Sequence, residues 1–308
     1  MTITALVIGE ALVDIVRQPD GTTIDHPGGS PANVAVAMSR LGTTVGLATA
    51  YGDDRLGALL DQHFAEAGVG LVGDRHRLDH TSSALATIDA TGAASYVFDL
   101  DWSLEPVRPV DPPLLVHTGS LGAVMEPGAA TVVATIEELR EGATISYDIN
   151  ARPAATGISP ELVARVDALV AVSDVVKASD EDLETLYADL GIVGAVERLL
   201  DLGAGAVVVT WGGKGASCFS AAGRVDVEGE KVEVADTIGA GDSFCAALLD
   251  GLRRRDLLGG DRRADLRGLS LAGWTDVMTR ANRAAAITVS RPGANPPTAA
   301  ELEASLAG

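Results

Sequence analysis

Short apolar runs alternate with longer amphipathic stretches along most of this chain, and this alternation limits the possible fold more than any other feature. Runs of strand length occupy residues 3–8, 45–50, 84–89, 113–117, 143–147, 168–172, 174–177 and 206–210. Stretches with a helical repeat occupy residues 31–41, 55–67, 129–139, 180–188 and 193–202. Strands alternating with helices of this length predict an α/β fold with a mostly parallel central sheet and helices on both faces.

A second pattern interrupts this alternation and predicts two β-hairpins. Residues 83–89 and 94–100 are apolar runs joined by a short glycine-containing turn, and residues 14–17 and 22–26 flank a Pro-Asp-Gly turn. Such turns between two strand-like runs are typical of hairpins. Together the hairpins predict a small β-sheet beside the main sheet, which serves either as a lid over a ligand cleft or as a dimer contact.

The size of the chain fits one large domain. Its 308 residues are 47% hydrophobic, which is enough to bury a large core. We expect a single domain over residues 1–308, with lid segments at about 10–27 and 81–104 and a loop-rich surface excursion over residues 251–275. Because no run of about 18 apolar residues occurs, no transmembrane helix is expected.

Charge and cysteine content narrow the class of partner. The formal net charge of −20 argues against a nucleic-acid partner, because phosphate backbones are bound by clustered Lys and Arg. A nucleotide ligand stays compatible with this charge, since a few backbone amides and one or two cations can hold phosphates locally. Cys218 and Cys245 lie far apart in apolar surroundings, and the N-terminus reads as a first strand rather than a signal peptide, so a cytoplasmic protein with free thiols is expected.

The strongest local signal is the segment Asp-Thr-Ile-Gly-Ala-Gly-Asp at 236–242, which lies between a strand-like run at 232–235 and an apolar helical run at 244–252. Gly-Ala-Gly at a helix start can direct backbone N–H groups at one point, and the helix dipole adds partial positive charge there. A carboxylate beside such an anion hole would repel a bound anion. Its presence is explained if Asp242 accepts the proton of a hydroxyl that attacks phosphorus. The alternative is an N-cap aspartate with turn glycines.

Two further glycine-rich segments are candidates for ligand binding. The segment 26–35 begins with His-Pro-Gly-Gly-Ser-Pro and places Asn33 one turn into a helix, where its amide can reach a polar ligand or simply face solvent. A strand-like run at 207–210 is followed by Trp-Gly-Gly-Lys-Gly, and α/β sheets bind ligands at strand ends of this kind. Neither a Walker A loop nor a dinucleotide fingerprint after the first strand occurs.

The order and separation of these segments resemble the PfkB (ribokinase-like) carbohydrate kinase family, and among its members the fructokinases most. Residues 28–42 resemble its N-terminal signature, and residues 236–249 resemble its C-terminal signature with the Gly-Ala-Gly-Asp loop. Supporting matches run over nearly the whole chain, at 9–14, 52–57, 148–152, 177–182, 210–215 and 291–294. The resemblance implies a three-layer α/β/α ribokinase-like fold with a small β-sheet lid, and an ATP-dependent sugar kinase.

The resemblance also implies roles for individual residues. Asp242 matches the catalytic base, beside an anion hole formed by Gly239, Ala240 and Gly241. The implied sugar-side residues are Asp14, Gly28, Gly29, Asn33 and Arg152, to which strand alternation adds the lid aromatics Tyr96 and Phe98. The implied nucleotide-side residues are Lys177, Ser179, Thr210, Gly212, Gly215 and Asn282. For the ions, the resemblance implies Asp182 for magnesium through water, and Asp236, Ile238, Thr288, Arg291 and Gly293, mostly through backbone, for a monovalent cation such as potassium.

The identity of the sugar depends on weaker signals. The segments 9–14 and 148–152 resemble fructokinases, and the lid segment 83–104 contains no Lys or Arg, which favours a neutral sugar. Phosphorylation of a primary hydroxyl of fructose, to fructose 6-phosphate, is therefore expected. The alternatives are a 2-keto-3-deoxygluconate kinase, another sugar or nucleoside kinase of the family, and a catalytically silent sugar-binding protein. A homodimer through the β lid is also expected, and neither a nucleic acid nor a membrane is expected as partner.

Overall fold

The computed structural model describes residues 3–18, 20–88 and 94–307, and the side chains of residues 88 and 94–96 are not part of that description. The strands are Ala5–Ile8 (β1), Leu12–Arg17 (β2), Thr23–Gly28 (β3), Val45–Ala48 (β4), Tyr51–Gly52 (β5), Gly70–Leu71 (β6), His76–Leu78 (β7), Ser83–Ile88 (β8), Ala94–Asp99 (β9), Leu115–Gly119 (β10), Thr144–Asp148 (β11), Val175–Ser179 (β12), Ala206–Thr210 (β13), Gly215–Ser220 (β14) and Gly223–Glu228 (β15).

The helices lie between and after these strands. They are Ser30–Arg40 (α1), Arg55–Glu66 (α2), Ser120–Val124 (α3), Gly128–Leu139 (α4), Pro153–Thr156 (α5), Pro160–Val172 (α6), Asp180–Leu186 (α7), Gly191–Leu202 (α8), Ala240–Arg254 (α9), Arg263–Arg267 (α10), Leu271–Val289 (α11) and Ala299–Ala307 (α12). Single 3₁₀ turns lie at Gly212–Lys214 and Gly260–Arg262. Within residues 3–18, 20–88 and 94–307, no helix is both long enough and apolar enough to cross a membrane.

Nine strands form the central sheet in the order β15-β14-β13-β12-β11-β10-β1-β4-β6. Neighbouring strands from β6 to β13 are parallel, and β14 and β15 extend the sheet in antiparallel pairing. Alternate strand residues enter two separate hydrophobic cores, one beneath α1, α9 and α11 and the other beneath α4, α6 and α8. The central sheet therefore has helices on both faces, which confirms the predicted three-layer α/β/α fold. Because its parallel strands are buried on both faces, they appear in the sequence as continuous apolar runs.

A smaller sheet, in the order β3-β2-β8-β9, contains the two predicted hairpins. Within it β2 pairs with β3 and β8 with β9 in antiparallel fashion, and a parallel pairing of β2 with β8 joins the hairpins. Asp14 on β2 lies opposite His26 on β3 and Ala84 on β8, so these side chains share one face. The turn predicted at 89–92 lies outside the described residues.

Three local predictions from the sequence are wrong. Residues 168–172 end α6 instead of forming a strand, because their apolar run belongs to a helix that buries Leu169 and Val170. Residues 232–235 have no strand partner among the described residues and belong to the irregular segment between β15 and α9. Residues 251–275 contain the end of α9, all of α10 and the start of α11, so the expected surface loop is largely helical.

Candidate active site

The N-terminus of α9 carries the strongest signal of the sequence. Gly239 immediately precedes the helix with a φ of +74°, and a Cβ there would lie 2.6 Å from the Ala294 Cβ, so the position requires glycine. Gly239 is the N-cap residue, whereas Asp242 lies in the first helical turn with 8% of its surface exposed. The alternative in which Asp242 serves as an N-cap therefore does not describe its position.

Side chains from two distant segments hold the Asp242 carboxylate. The Ser30 hydroxyl donates to Asp242 Oδ1 at 2.7 Å, and Asn33 Nδ2 donates to Oδ2 at 2.8 Å. Asn150 Nδ2 in turn donates to Ser30 Oγ at 2.7 Å, which leaves the hydroxyl proton directed at the carboxylate. Asn33 was predicted as a sugar-side residue, but its amide also contacts the predicted base.

Ser30 and Asn150 were missed by the sequence reasoning. Ser30 lies at the start of α1, where serine often caps a helix, yet α1 forms no side-chain cap hydrogen bond and uses Gly29 as its N-cap. Asn150 has a φ of +39°, in the left-handed region where asparagine is enriched among non-glycine residues. Its place in the segment 148–152, which resembles the family, is the sequence signal that could have identified it.

A cavity of about 420 Å³ lies between the small sheet and the loops at the end of the central sheet. Its size fits a small ligand. Of the predicted residues, its lining includes Asp14, Gly29, Asn33, Phe98, Arg152, Gly239, Gly241 and Asp242.

Burial raises the pKa of the Asp14 carboxyl. Gly28 leaves room for that carboxylate, since a Cβ there would lie 2.5 Å from Asp14 Oδ2. Glu10 and Ser120, which the sequence did not single out, also line this cavity, and the side chain of Tyr96 lies outside the described residues.

A second cavity of about 480 Å³ carries most of the predicted nucleotide-side residues. Thr210, Gly212, Gly215 and Asn282 line it together with apolar side chains. Asn282 Nδ2 donates to the backbone carbonyl oxygens of residues 227 and 228, at 3.3 and 3.1 Å, which fixes the amide. The two cavities meet at one loop, because Thr237 and Gly241 line both of them.

Lys177 lies beneath this loop in a buried ion pair. Its Nζ donates to both carboxylate oxygens of Asp148, at 2.9 and 2.8 Å. Burial alone would lower the pKa of the Lys177 ammonium, but the Asp148 carboxylate outweighs it and raises that pKa to about 12. A Cβ on Gly241 would lie 3.6 Å from Nζ, so the cation supports the floor of the anion hole, while the described lining of the nucleotide cavity does not include it.

Ser179 and Asp182 form a capping box at the start of α7. Asp182 Oδ2 accepts from the Ser179 N–H and Oδ1 accepts from the Ala151 N–H, both at 2.8 Å. Asp182 is 6% exposed, and neither it nor Ser179 is among the residues that line the two cavities, so the fold does not bring either side chain directly to the predicted nucleotide site. Among the described residues, no group of three or more His, Cys, Asp or Glu side chains is placed to hold a metal ion.

The residues predicted for a monovalent cation are brought together in part. Asp236 accepts from the Ile238 N–H at 3.0 Å and from the Gly293 N–H at 2.9 Å, which joins two loops beside the anion hole. The side chain of Arg291 pairs with a carboxylate of α12, and the hydroxyl of Thr288 contacts α11 and α9. Only backbone carbonyls of these last two residues remain as cation ligands.

Known proteins share this architecture. Residues 3–301 match the family model described as pfkB family carbohydrate kinase. The chain is 32% identical over 278 residues to the fructokinase of Rhizobium leguminosarum bv. trifolii, covering 82% of this chain and 81% of that protein. It is 32% identical over 259 residues to the aminoimidazole riboside kinase of Salmonella typhimurium, covering 80% of each chain.

A solved structure extends the likeness over the full chain. The crystal structure of fructokinase with bound ATP from Xylella fastidiosa superposes with a TM-score of 0.86 at 26% sequence identity, covering 99% of each chain. These matches span both cavities and the loop that joins them. The chain belongs to the pfkB family of carbohydrate kinases and is an ATP-dependent sugar kinase.

Proposed function

We propose that this kinase transfers the γ-phosphoryl group of ATP to the primary hydroxyl of fructose, forming fructose 6-phosphate, with Asp242 as general base. The observation that carries the proposal is the position of Asp242 at the loop where the two cavities meet. A hydroxyl held in the cavity beside the small sheet and a phosphate held in the other cavity would approach each other at this loop.

The chemistry of the transfer follows from the groups at this loop. Asp242 accepts the proton of the attacking hydroxyl, while Ser30 and Asn33 hold its carboxylate in one orientation. Backbone N–H groups of residues 239–241 and the dipole of α9 stabilise charge on the transferred phosphoryl group. Closure of the small sheet over the sugar would exclude water and limit ATP hydrolysis.

Magnesium and potassium are proposed as the ions of the reaction. Asp182 would hold magnesium through one of its water ligands, and the ion would supply positive charge that neutralises the nucleotide phosphates. Potassium would bind backbone carbonyls of the loops that Asp236 joins. ATP itself is bound in the crystal structure of the Xylella fastidiosa fructokinase, which supports the assignment of the nucleotide side.

Fructose is proposed as the sugar because relatives named fructokinase match most of the chain and because the lid segment 83–104 lacks Lys and Arg. One observation favours 2-keto-3-deoxygluconate as the second candidate. Arg152 lines the sugar cavity, and its guanidinium could pair with a substrate carboxylate.

The assembly and location of the protein are also proposals. Val97 and Ile24 of the small sheet are 63% and 48% exposed, which supports a homodimer through this sheet. Both cysteines are free and buried, as expected for a cytoplasmic protein.

A coupled assay of ADP release tests the proposal over fructose, ribose, tagatose, 2-keto-3-deoxygluconate and nucleosides. We expect the highest kcat/KM with fructose. Preference for 2-keto-3-deoxygluconate, together with loss of that preference in Arg152→Ala, would establish the second candidate instead. No ADP release with any of these compounds would mean that the sugar cavity binds without turnover.

A further inference from the structure

The Glu10 carboxyl lies in the wall of the sugar cavity, and the proposed reaction gives it no role. Glu10 follows β1 and has 6% of its surface exposed. The Gly122 N–H donates to Glu10 Oε2 at 2.6 Å, and the Ser120 hydroxyl also hydrogen-bonds the carboxyl. Ser120 itself has a φ of +53°, a conformation that is costly for serine and typical of functional sites. The surroundings therefore hold this carboxyl in a defined orientation.

Two glycines from distant segments allow the chain to pack closely around Glu10. Gly29 has a φ of +96°, and a Cβ there would lie 2.5 Å from the Glu10 carbonyl oxygen. A Cβ on Gly122 would lie 2.7 Å from the Glu10 nitrogen and 2.8 Å from Oε2. Because its backbone is enclosed from both sides, Glu10 cannot leave the cavity wall without displacing these segments.

Burial in the cavity wall favours the uncharged form of Glu10. Burial raises the pKa of the Glu10 carboxyl to about 7, although the Gly122 N–H, the Ser120 hydroxyl and Arg152 act in the opposite sense. Asp14 and Asp242 face the same cavity from β2 and α9, and Arg152 faces it from the loop before α5.

We propose that Glu10 binds the sugar substrate directly, with its carboxyl group donating a hydrogen bond to a sugar oxygen. This inference rests on the proposed function of the cavity as the sugar site. The carboxylates of Asp14 and Asp242 accept hydrogen bonds from sugar hydroxyls, but the ring oxygen of a ketose carries no hydrogen and needs a donor. A neutral Glu10 supplies that donor and thereby selects sugars with an acceptor oxygen at this end of the cavity.

The experiment compares the full-length wild type with Glu10→Gln and Glu10→Ala. Glu137→Gln is the matched control, because Glu137 is exposed on α4 and the same charge is removed. The dissociation constant of D-fructose is measured by isothermal titration calorimetry without nucleotide. In the wild type it should rise up to about tenfold between about pH 6 and about pH 8, as the neutral carboxyl is lost. Glutamine carries a permanent donor, so Glu10→Gln should remove this pH dependence.

Alanine offers neither donor nor acceptor, so Glu10→Ala should raise the fructose dissociation constant about tenfold at the lower pH, with the KM for ATP unchanged. The inference is overturned if Glu10→Gln keeps the pH dependence of the wild type, or binds as weakly as Glu10→Ala. It is also overturned if Glu10→Ala binds fructose as the wild type does. A purely structural role would lower only the melting temperature.

Turnover by the wild type tests the proposed function separately. If another sugar of the screen is phosphorylated instead of fructose, that sugar replaces fructose in the titrations, and the Glu10 inference stands or falls on the variants. If the wild type turns over no sugar but binds one in the titrations, the proposed function fails and the Glu10 inference is still decided by the variants; if it binds no sugar, both fail.

Discussion

The Asp242 carboxylate lies where the two cavities meet, with both oxygens held by side chains of α1. Asp242→Asn keeps the size of the side chain but removes the proton acceptor. We expect kcat to fall by about 10²–10⁴-fold with a small change in the sugar KM, because general-base catalysis typically contributes this much. A fall of less than about tenfold in the coupled assay, at unchanged melting temperature, would show that Asp242 is not the base.

The hydrogen bond from Ser30 to Asp242 gives a second prediction at this scale. Ser30→Ala removes the donor to Oδ1 and leaves Asn150 without its acceptor, so the carboxylate becomes less well oriented. We expect kcat to fall by about tenfold, in line with the loss of one hydrogen bond to a charged group. Ser39→Ala on the same helix is the control, because Ser39 donates only to the Ala67 carbonyl oxygen and should leave kcat unchanged. Equal effects of the two changes would indicate general destabilisation of α1.

The raised pKa of Glu10 predicts how the free energy of unfolding depends on pH. Its pKa is raised from 4.5 to about 7 in the folded protein, so folding favours the protonated form. The stabilisation that the protonated carboxyl contributes is complete below the pKa of Glu10 in the unfolded chain. It is lost as the pH rises from there through about 7. Glu10→Gln is neutral at every pH, so its unfolding free energy relative to wild type should increase by about 2–3 kcal/mol between about pH 5 and about pH 8. Urea denaturation at both pH values measures this, and a constant difference would show that Glu10 is ionised throughout.

At the scale of elements, the sequence predicted helices well where a glycine ends them. Helices α1 and α2 end within two residues of Gly42 and Gly68, both in the left-handed conformation, and the predicted ends differ by one residue. The run 168–172 has no such marker, because five consecutive small and apolar residues fit a strand or a buried helix equally well. In the structure it forms the last part of α6, whose start is capped by Ser159, which accepts from the Leu162 N–H.

The segment 52–57, which resembled the family, joins α2 to the root of the small sheet. Asp54 caps α2 by accepting from the Gly57 N–H, and it accepts from the Thr81 N–H and hydroxyl, all at 2.8 Å. Thr81 leads directly into β8, so Asp54 holds one strand connection of the proposed lid.

We expect Asp54→Ala to lower the unfolding free energy by about 1–2 kcal/mol, since it removes a helix cap, and to raise the sugar KM more than the KM for ATP. Asp53→Ala is the control, because the Asp53 side chain is 90% exposed and contacts only His76 among the described residues. Steady-state kinetics and urea denaturation of both variants measure the difference. Equal KM values for sugar in Asp54→Ala and wild type would mean that this contact does not position the small sheet.

At the scale of the whole molecule, the site exists because α1 and α9 pack on the same face of the central sheet. Ser30 and Asp242 are 212 residues apart in sequence, and no periodicity or local motif reports a distance between separate segments. The resemblance to a family placed the two glycine-rich segments in one site, which is why Asp14, Asn33 and Asp242 could be predicted. It did not identify Ser30, Glu10 or Asn150, whose contacts depend on how three loops meet.

The overall charge predicts how the kinase responds to salt. With a formal net charge of −20, the chain repels nucleotide phosphates at long range, whereas the proposed anion hole holds them through backbone N–H groups and a helix dipole. Salt screens the long-range repulsion over a Debye length of about 10 Å at 0.1 M but affects these short contacts little. Raising choline chloride from about 0.02 to about 0.2 M, at constant potassium, should therefore leave the KM for ATP unchanged or lower it. The KM for neutral fructose serves as the internal control and should not change. A rise of more than about threefold in the KM for ATP alone would mean that ion pairs between Lys or Arg side chains and the phosphates, rather than backbone groups, dominate phosphate binding.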